Sequence, residues 1–237
     1  MSVVVAIETS TEGFGVAVLV DQRLSCVESV IGRGHAEQIV PQLAELMRRA
    51  GVSPSAVDVI GFGRGPGAFT GVRIALAAAQ GLGLGWNRPV VGVSSLVSMT
   101  VGALHALPDH PPSSTRVVAA LDARLGEVYW SCFTGPQCDD PATITERVSA
   151  PEQVALPPWA GTTIGVGHGF AAYPTLAASL GCQAVYPERL PSVEAVARLA
   201  LRYHQQGYSV AAEAAEAVYL RDQVAHGVPK AARPSEA

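Results

Sequence analysis

One unit is written twice in this chain, and that repetition limits the fold more than any other feature. VVVAIETSTEGFGVAVLV begins at Val3 and VVAALDARLGEVYWSCF at Val117. Each copy is an apolar run ending in an acid, Glu8 or Asp122, followed by a short polar turn with glycine and a second run of β-branched and aromatic residues. That pattern is a β-hairpin with a carboxylate at its turn. A unit repeated at this distance implies two similar lobes in tandem. Between the copies the spacing predicts strands at 26–31, 57–62 and 90–93, with helices at 37–50 and 70–84. The Pro- and Ser-rich LPDHPPSSTR, residues 107–116, reads as the join. After the second copy come a loop-rich stretch with many prolines, a short strand in TIGVGHG, and helices near 193–206 and 210–217. The polar tail from about His226 is expected to be disordered.

The glycines of GFGRGPGAFTGVRIALAAAQG, residues 61–81, invite a phosphate-binding reading, which the neighbouring residues exclude. A P-loop needs a lysine and a hydroxyl after its last glycine, and no lysine follows here. Gly63-x-Gly65-x-x-Ala68 matches the dinucleotide fingerprint formally, but that fold needs a carboxylate about twenty residues on for the ribose. No Asp or Glu occurs between Val59 and Pro108. The formal net charge of −4 argues against a chain that grips nucleic acid by itself. Cys26, Cys132, Cys138 and Cys182 form no C-x-x-C pair, so they read as buried reduced thiols. No apolar run reaches a membrane span of about 18 residues. With no basic region ahead of VVVAI, the start is not a signal peptide, and the chain is expected to be cytoplasmic.

Two lobes that each open with a hairpin and continue through alternating helices and strands suggest an α/β protein of the duplicated actin-like ATPase (ASKHA) fold, each lobe a mixed β-sheet flanked by helices. The expected division is 1–106 for a first lobe carrying dimerisation helices and 107–225 for a second, whose last helix can pack back on the first. Residues 226–237 form the tail. Six segments then sharpen the picture: IETST at 7–11, HAEQIVPQL at 35–43, GRGPGAFTGVRI at 63–74, GVSSL at 92–96, LDARLGEVYW at 121–130 and YLR at 219–221. Together they resemble the TsaB (YeaZ) family, in order and over nearly the whole chain. The resemblance implies a noncatalytic subunit of the bacterial machinery that places a threonylcarbamoyl group on the adenosine beside the anticodon of ANN-decoding tRNAs. In that family the paralogue TsaD performs the transfer and TsaE, an ATPase, joins the complex, while TsaC makes the threonylcarbamoyl-adenylate. The implied partners are TsaD as a heterodimer and TsaE, with a homodimer when isolated, tRNA only through the complex, and no membrane. Two other classes compete: a small-molecule kinase or ATPase of the actin-like superfamily, and a metal-dependent glycoprotease.

The residues themselves bear on those alternatives. The metal site of the catalytic paralogue is a His-x-x-x-His, which places two imidazoles on one helical face; here His35 is followed at i+4 by Ile39. Neither a paired histidine nor a nucleophile elbow is present for proteolysis. Glu8, Thr9, Ser10 and Thr11 form a hydroxyl-rich first turn that could face a phosphate, whereas the second turn after Asp122 is bulkier. That is half a nucleotide site, with no tightly bound cofactor and ATP or ADP held weakly. In the helix after GRGPG, Thr70 reads as the N-cap. Gly71, Ala75, Ala79 and Gly83 repeat every fourth residue and present a face nearly free of bulk, which a partner helix could approach. Ile39, Leu43 and Met47 on the preceding helix, together with Arg64, Thr70 and Arg73, complete the expected partner interface.

Overall fold

The computed structural model describes residues 1–107, 109–110, 113–134 and 140–221. The tail expected from His226, and Cys138, lie outside the described residues. The first sheet is built from β1 (Val3–Glu8), β2 (Gly13–Val20), β3 (Arg23–Val30), β4 (Val59–Gly63) and β5 (Val90–Val93), in the order β3-β2-β1-β4-β5. Helix α1 (His35–Ala50) lies between β3 and β4, and α2 (Phe69–Trp86) between β4 and β5. After α3 (Ser95–Ala106) the second sheet follows: β6 (Thr115–Arg124), β7 (Glu127–Thr134), β8 (Arg147–Ser149), β9 (Thr162–Val166) and β10 (Ala184–Tyr186), with the short α4 (Gly169–Ala172) and α5 (Thr175–Ser179) before β10 and α6 (Val193–Gln205) after it. Its order, β10-β9-β6-β7-β8, is the first sheet's read backwards. In both sheets the opening hairpin pairs antiparallel and the two later strands join in parallel. The repeat seen in the sequence is therefore a repeat of topology, the duplicated actin-like fold.

Strand residues explain the layering. Val3, Val5 and Ile7 face the layer of α1 and α2, while Val4 and Ala6 face the middle of the molecule. In β6, Val117, Ala119 and Leu121 face that same middle, and Val118 and Ala120 face α4 and α5. Both strands are apolar without alternation because both of their faces are buried. The middle layer holds α3 and α6, and the two halves of the chain exchange them. Helix α3, from the first half, packs on β6, β7 and β9, and α6, from the second half, packs on β1, β2, β4 and β5. Gly61 in β4 makes that close approach possible, since a Cβ there would lie 2.6 Å from the Cβ of Ala200.

Four expectations need correction. Cys26 is exposed and Cys132 and Cys182 are half-buried, rather than the buried thiols expected. Helix α3 follows the 90–93 strand, where the sequence suggested none; its first half, Ser95–Thr100, is buried all round and holds only small polar and apolar residues. The helix expected at 210–217 is instead a β-bridge at Val210 and a single 3₁₀ turn, Ala212–Ala214, laid along α2. Thr70 is the second helical residue of α2 rather than its cap, which is Ala68.

Candidate functional site

A cleft of about 1070 Å³ opens between the lobes. The β1–β2 turn, the starts of α1 and α2, the β6–β7 hairpin and residues 218–221 form its walls. The acid-bearing turns of the two repeats meet here, as their shared topology requires.

Glu8 is 2% exposed and does not face the cleft. Its Oε1 accepts a hydrogen bond from the Ser10 amide at 2.6 Å, and its Oε2 lies unpartnered against Gly63. Burial pushes this carboxyl above the usual glutamate range, against the opposing pull of the Ser10 hydrogen bonds. Thr9 turns the other way: its hydroxyl donates to the Gly71 carbonyl at 2.8 Å. The Ser10 carbonyl accepts from Ala68 N at 2.7 Å, and Thr11 Oγ1 accepts from Gly13 N. The first turn thus spends most of its polar groups on α2 and on itself.

The second turn is similarly committed. Asp122 Oδ1 accepts from Arg124 N at 2.8 Å and from Tyr173 OH at 3.3 Å, while Oδ2 pairs with Arg124 Nη1 at 3.0 Å. Leu125 and Gly126 both take positive φ, which closes β6 onto β7 tightly and leaves Leu125 83% exposed at the cleft rim. His168 Nδ1 accepts from the Asp122 amide at 3.1 Å. That bond places the neutral ring's proton on Nε2, 3.9 Å from Glu12 Oε2 across the cleft. His168 and Tyr173 escaped the sequence reading because nothing in their spacing relates them to Asp122.

The expected partner interface divides. Gly71, Ala75, Ala79 and Gly83 are buried within the chain. Gly71 sits against the Thr9 carbonyl and Gly83 against Ala212, so the bulk-free face serves the lobe's own packing. Ile39, Leu43 and Met47 are 2%, 2% and 6% exposed and cover the first sheet. Arg64 forms an ion pair within the chain, at 2.9 Å to Glu146 Oε2, whose other oxygen accepts from Ser94 Oγ at 2.5 Å. Glu146 comes from the stretch 134–160, which carries no recognisable pattern. Seven of these eight residues are thus covered within the chain itself, and Arg64 is half-buried in its ion pair. Thr70 and Arg73 are exposed. The Arg73 guanidinium lies 3.6 Å from the Phe69 ring centroid, and its Nε donates to Tyr219 OH at 3.0 Å. They begin an outward stripe on α2 that continues through Ala77, Gly81 and Leu84, all exposed. Spacings of three and four place these residues on one face, opposite the buried one.

Comparison with known proteins accounts for this architecture. Residues 27–226 match the family model described as TsaD: tRNA N6-adenosine threonylcarbamoyltransferase. The Escherichia coli protein named tRNA threonylcarbamoyladenosine biosynthesis protein TsaB is 37% identical over 94% of this chain and 96% of its own length. Its Haemophilus influenzae counterpart is 33% identical over 92% and 93%. Among solved structures, YeaZ from Pseudomonas aeruginosa is 39% identical and superimposes with a TM-score of 0.82, covering 93% of this chain and all of that one. Likeness in both sequence and fold, over nearly the full length, shows that the chain belongs to the TsaB (YeaZ) family.

Proposed function

We propose that this chain acts in tRNA threonylcarbamoyladenosine biosynthesis as a noncatalytic subunit, the partner that TsaD needs to transfer the threonylcarbamoyl group. Relatives in two organisms carry that pathway in their names. The observation that carries the noncatalytic reading is the state of the two acids. An actin-like ATPase needs carboxylates free to hold magnesium beside the phosphates. Here Glu8 is buried and kept toward its neutral form, and Asp122 is held by Arg124 and Tyr173. A cleft so arranged favours weak ATP or ADP contact at most. Neither rival class finds support in the geometry: a kinase would need those acids free. For the peptidase suggested by the description of one Pseudomonas aeruginosa structure, no group of three or more His, Cys, Asp or Glu among the described residues is placed to hold a metal.

The TsaD contact is assigned to the outer faces of α1 and α2, where Val40 and Leu84 are 60% and 62% exposed and Ala77 and Gly81 leave room for an approaching helix. Alone, the chain would pair with a second copy through the same faces; TsaE joins the complex, and tRNA is reached only through it.

Reconstitution tests the assignment. The purified chain should neither hydrolyse ATP nor modify tRNA. Addition of TsaD and TsaE, with ATP and threonylcarbamoyl-adenylate, should restore transfer. ATP turnover by this chain alone, abolished by Glu8→Gln or Asp122→Asn, would establish the kinase or ATPase reading instead.

A further inference from the structure

The YLR run at 219–221 has no part in the function proposed above, yet its side chains connect the lobes. The chain passes from the first sheet to the second through α3 and returns through residues 187–192, between β10 and α6. Rotation of one lobe against the other about these connections would open or close the cleft.

The chain crosses a third time, at the cleft. After α6 it returns over the first lobe. Val210 and Val90 exchange backbone hydrogen bonds, both at 2.9 Å. Ala212 rests on Gly83, and Gln80 Nε2 donates to the Ala215 carbonyl at 3.2 Å. Val218 N donates to the Arg64 carbonyl at 2.8 Å, and the Tyr219 hydroxyl accepts from Arg73. Two residues later Arg221 reaches the second lobe. Its Nη2 donates to the Ala123 carbonyl at 3.2 Å and the Arg124 carbonyl at 3.4 Å, and pairs with Glu127 Oε2. A guanidinium can serve acceptors on one hairpin together, which a single ammonium charge does less well. Arg64 fastens the same place from beneath, since its carbonyl holds the returning chain while its guanidinium pairs with Glu146 of the second lobe.

We propose that residues 207–221 form a clamp that fixes the opening of the cleft, with Arg221 as its pin. The shared middle layer of α3 and α6 joins the lobes at their base, and the clamp opposes their rotation at the cleft itself, where Val218, Tyr219 and Arg221 form one wall. The inference does not depend on the identity of any partner, because it concerns the isolated chain.

Hydrogen–deuterium exchange read by mass spectrometry on the full-length protein tests it. In Arg221→Ala, amides at 122–128 and at 69–73 should exchange about tenfold faster, because the lobes open more often. The central strands β1 and β6 should be unchanged. Glu127→Gln leaves the clamp sequence intact and should give the same footprint on both lobes with a smaller rise, since two carbonyl acceptors remain. Should Arg221→Ala fail to fold, Arg221→Lys is read in the same way. Faster exchange confined to 207–221, with the hairpin and α2 unaffected, would overturn the proposal. So would a parent protein whose hairpin already exchanges at the variant's rate.

Discussion

Gly71 and Gly81 lie in the same helix, ten residues apart, and the structure assigns opposite signs to the same substitution at the two positions. A methyl at Gly71 would fall on the Thr9 carbonyl oxygen and come within 3.1 Å of its carbon. Both obstacles are backbone at the acid-bearing turn, so neither can swing aside as a flexible side chain would. Overpacking of this kind costs about 1–3 kcal/mol. Displacing the turn also weakens the hydrogen bond from Thr9 to the Gly71 carbonyl, about 1 kcal/mol more. Replacing glycine by alanine in a helix returns about 0.5–1 kcal/mol, which leaves Gly71→Ala destabilised by about 1–3.5 kcal/mol. At Gly81 no atom lies within 4 Å of the added methyl, so only the helix gain of about 0.5–1 kcal/mol remains. At about 2–4 °C per kcal/mol for a chain of this size, Gly71→Ala should melt about 2–14 °C lower and Gly81→Ala about 1–4 °C higher. Thermal unfolding followed by circular dichroism, with urea titration as a second measure, decides the matter. A Gly71→Ala protein that melts with the parent, or a Gly81→Ala protein that melts below it, would refute the assignment of the two faces.

Glu8→Gln should gain stability over the parent as pH rises. The folded pKa of Glu8 lies above its ordinary value of 4.5, so its contribution is full below that value and is lost as pH climbs through the folded one. Urea midpoints between pH 4 and 8 should show the Gln variant's advantage growing upward, and a constant difference would count against a buried, raised carboxyl. Arg64→Ala leaves Glu146, 7% exposed, without its cation and should cost about 2–4 kcal/mol, whereas Arg73→Ala, at an exposed stack, should cost less than about 1 kcal/mol; equal melting losses would contradict the division. Leu84→Glu should keep the parent's melting temperature while weakening TsaD capture in a pull-down. Ala79→Arg, with its buried site, should instead lower solubility and melting temperature, and a folded Ala79→Arg that merely loses its partner would return the interface to the inner face.

The duplicated hairpins were legible in the sequence because each strand announces burial on both sides and each ends on an acid. Helix α3 was not legible for the same physical reason: with its first half buried all round, SLVSMTVGALHA has no charged face to set a helical period. The spacing of Gly71, Ala75, Ala79 and Gly83 correctly signalled a close backbone approach, but spacing cannot say what approaches. The occupants are the Thr9 carbonyl and Ala212, both distant in sequence. Arg64 shows the limit most sharply, since its partner Glu146 sits in a stretch with no pattern. In AAEAAEA the local composition favoured a helix, and contacts along α2 and β5 draw it into an extended path instead.

The exchange of α3 and α6 has a consequence for how the chain comes into being. The first sheet is complete once Val93 has been made, yet the helix that covers its inner face begins at Val193. At about 5–20 residues per second, the nascent chain carries Val4, Ala6, Ala17 and Leu19 on an uncovered face for about 5–20 s. A fragment ending after β10 would hold that exposure permanently. The chain's early synthesis is thus a period of sticky, half-finished surface that only its last helix ends.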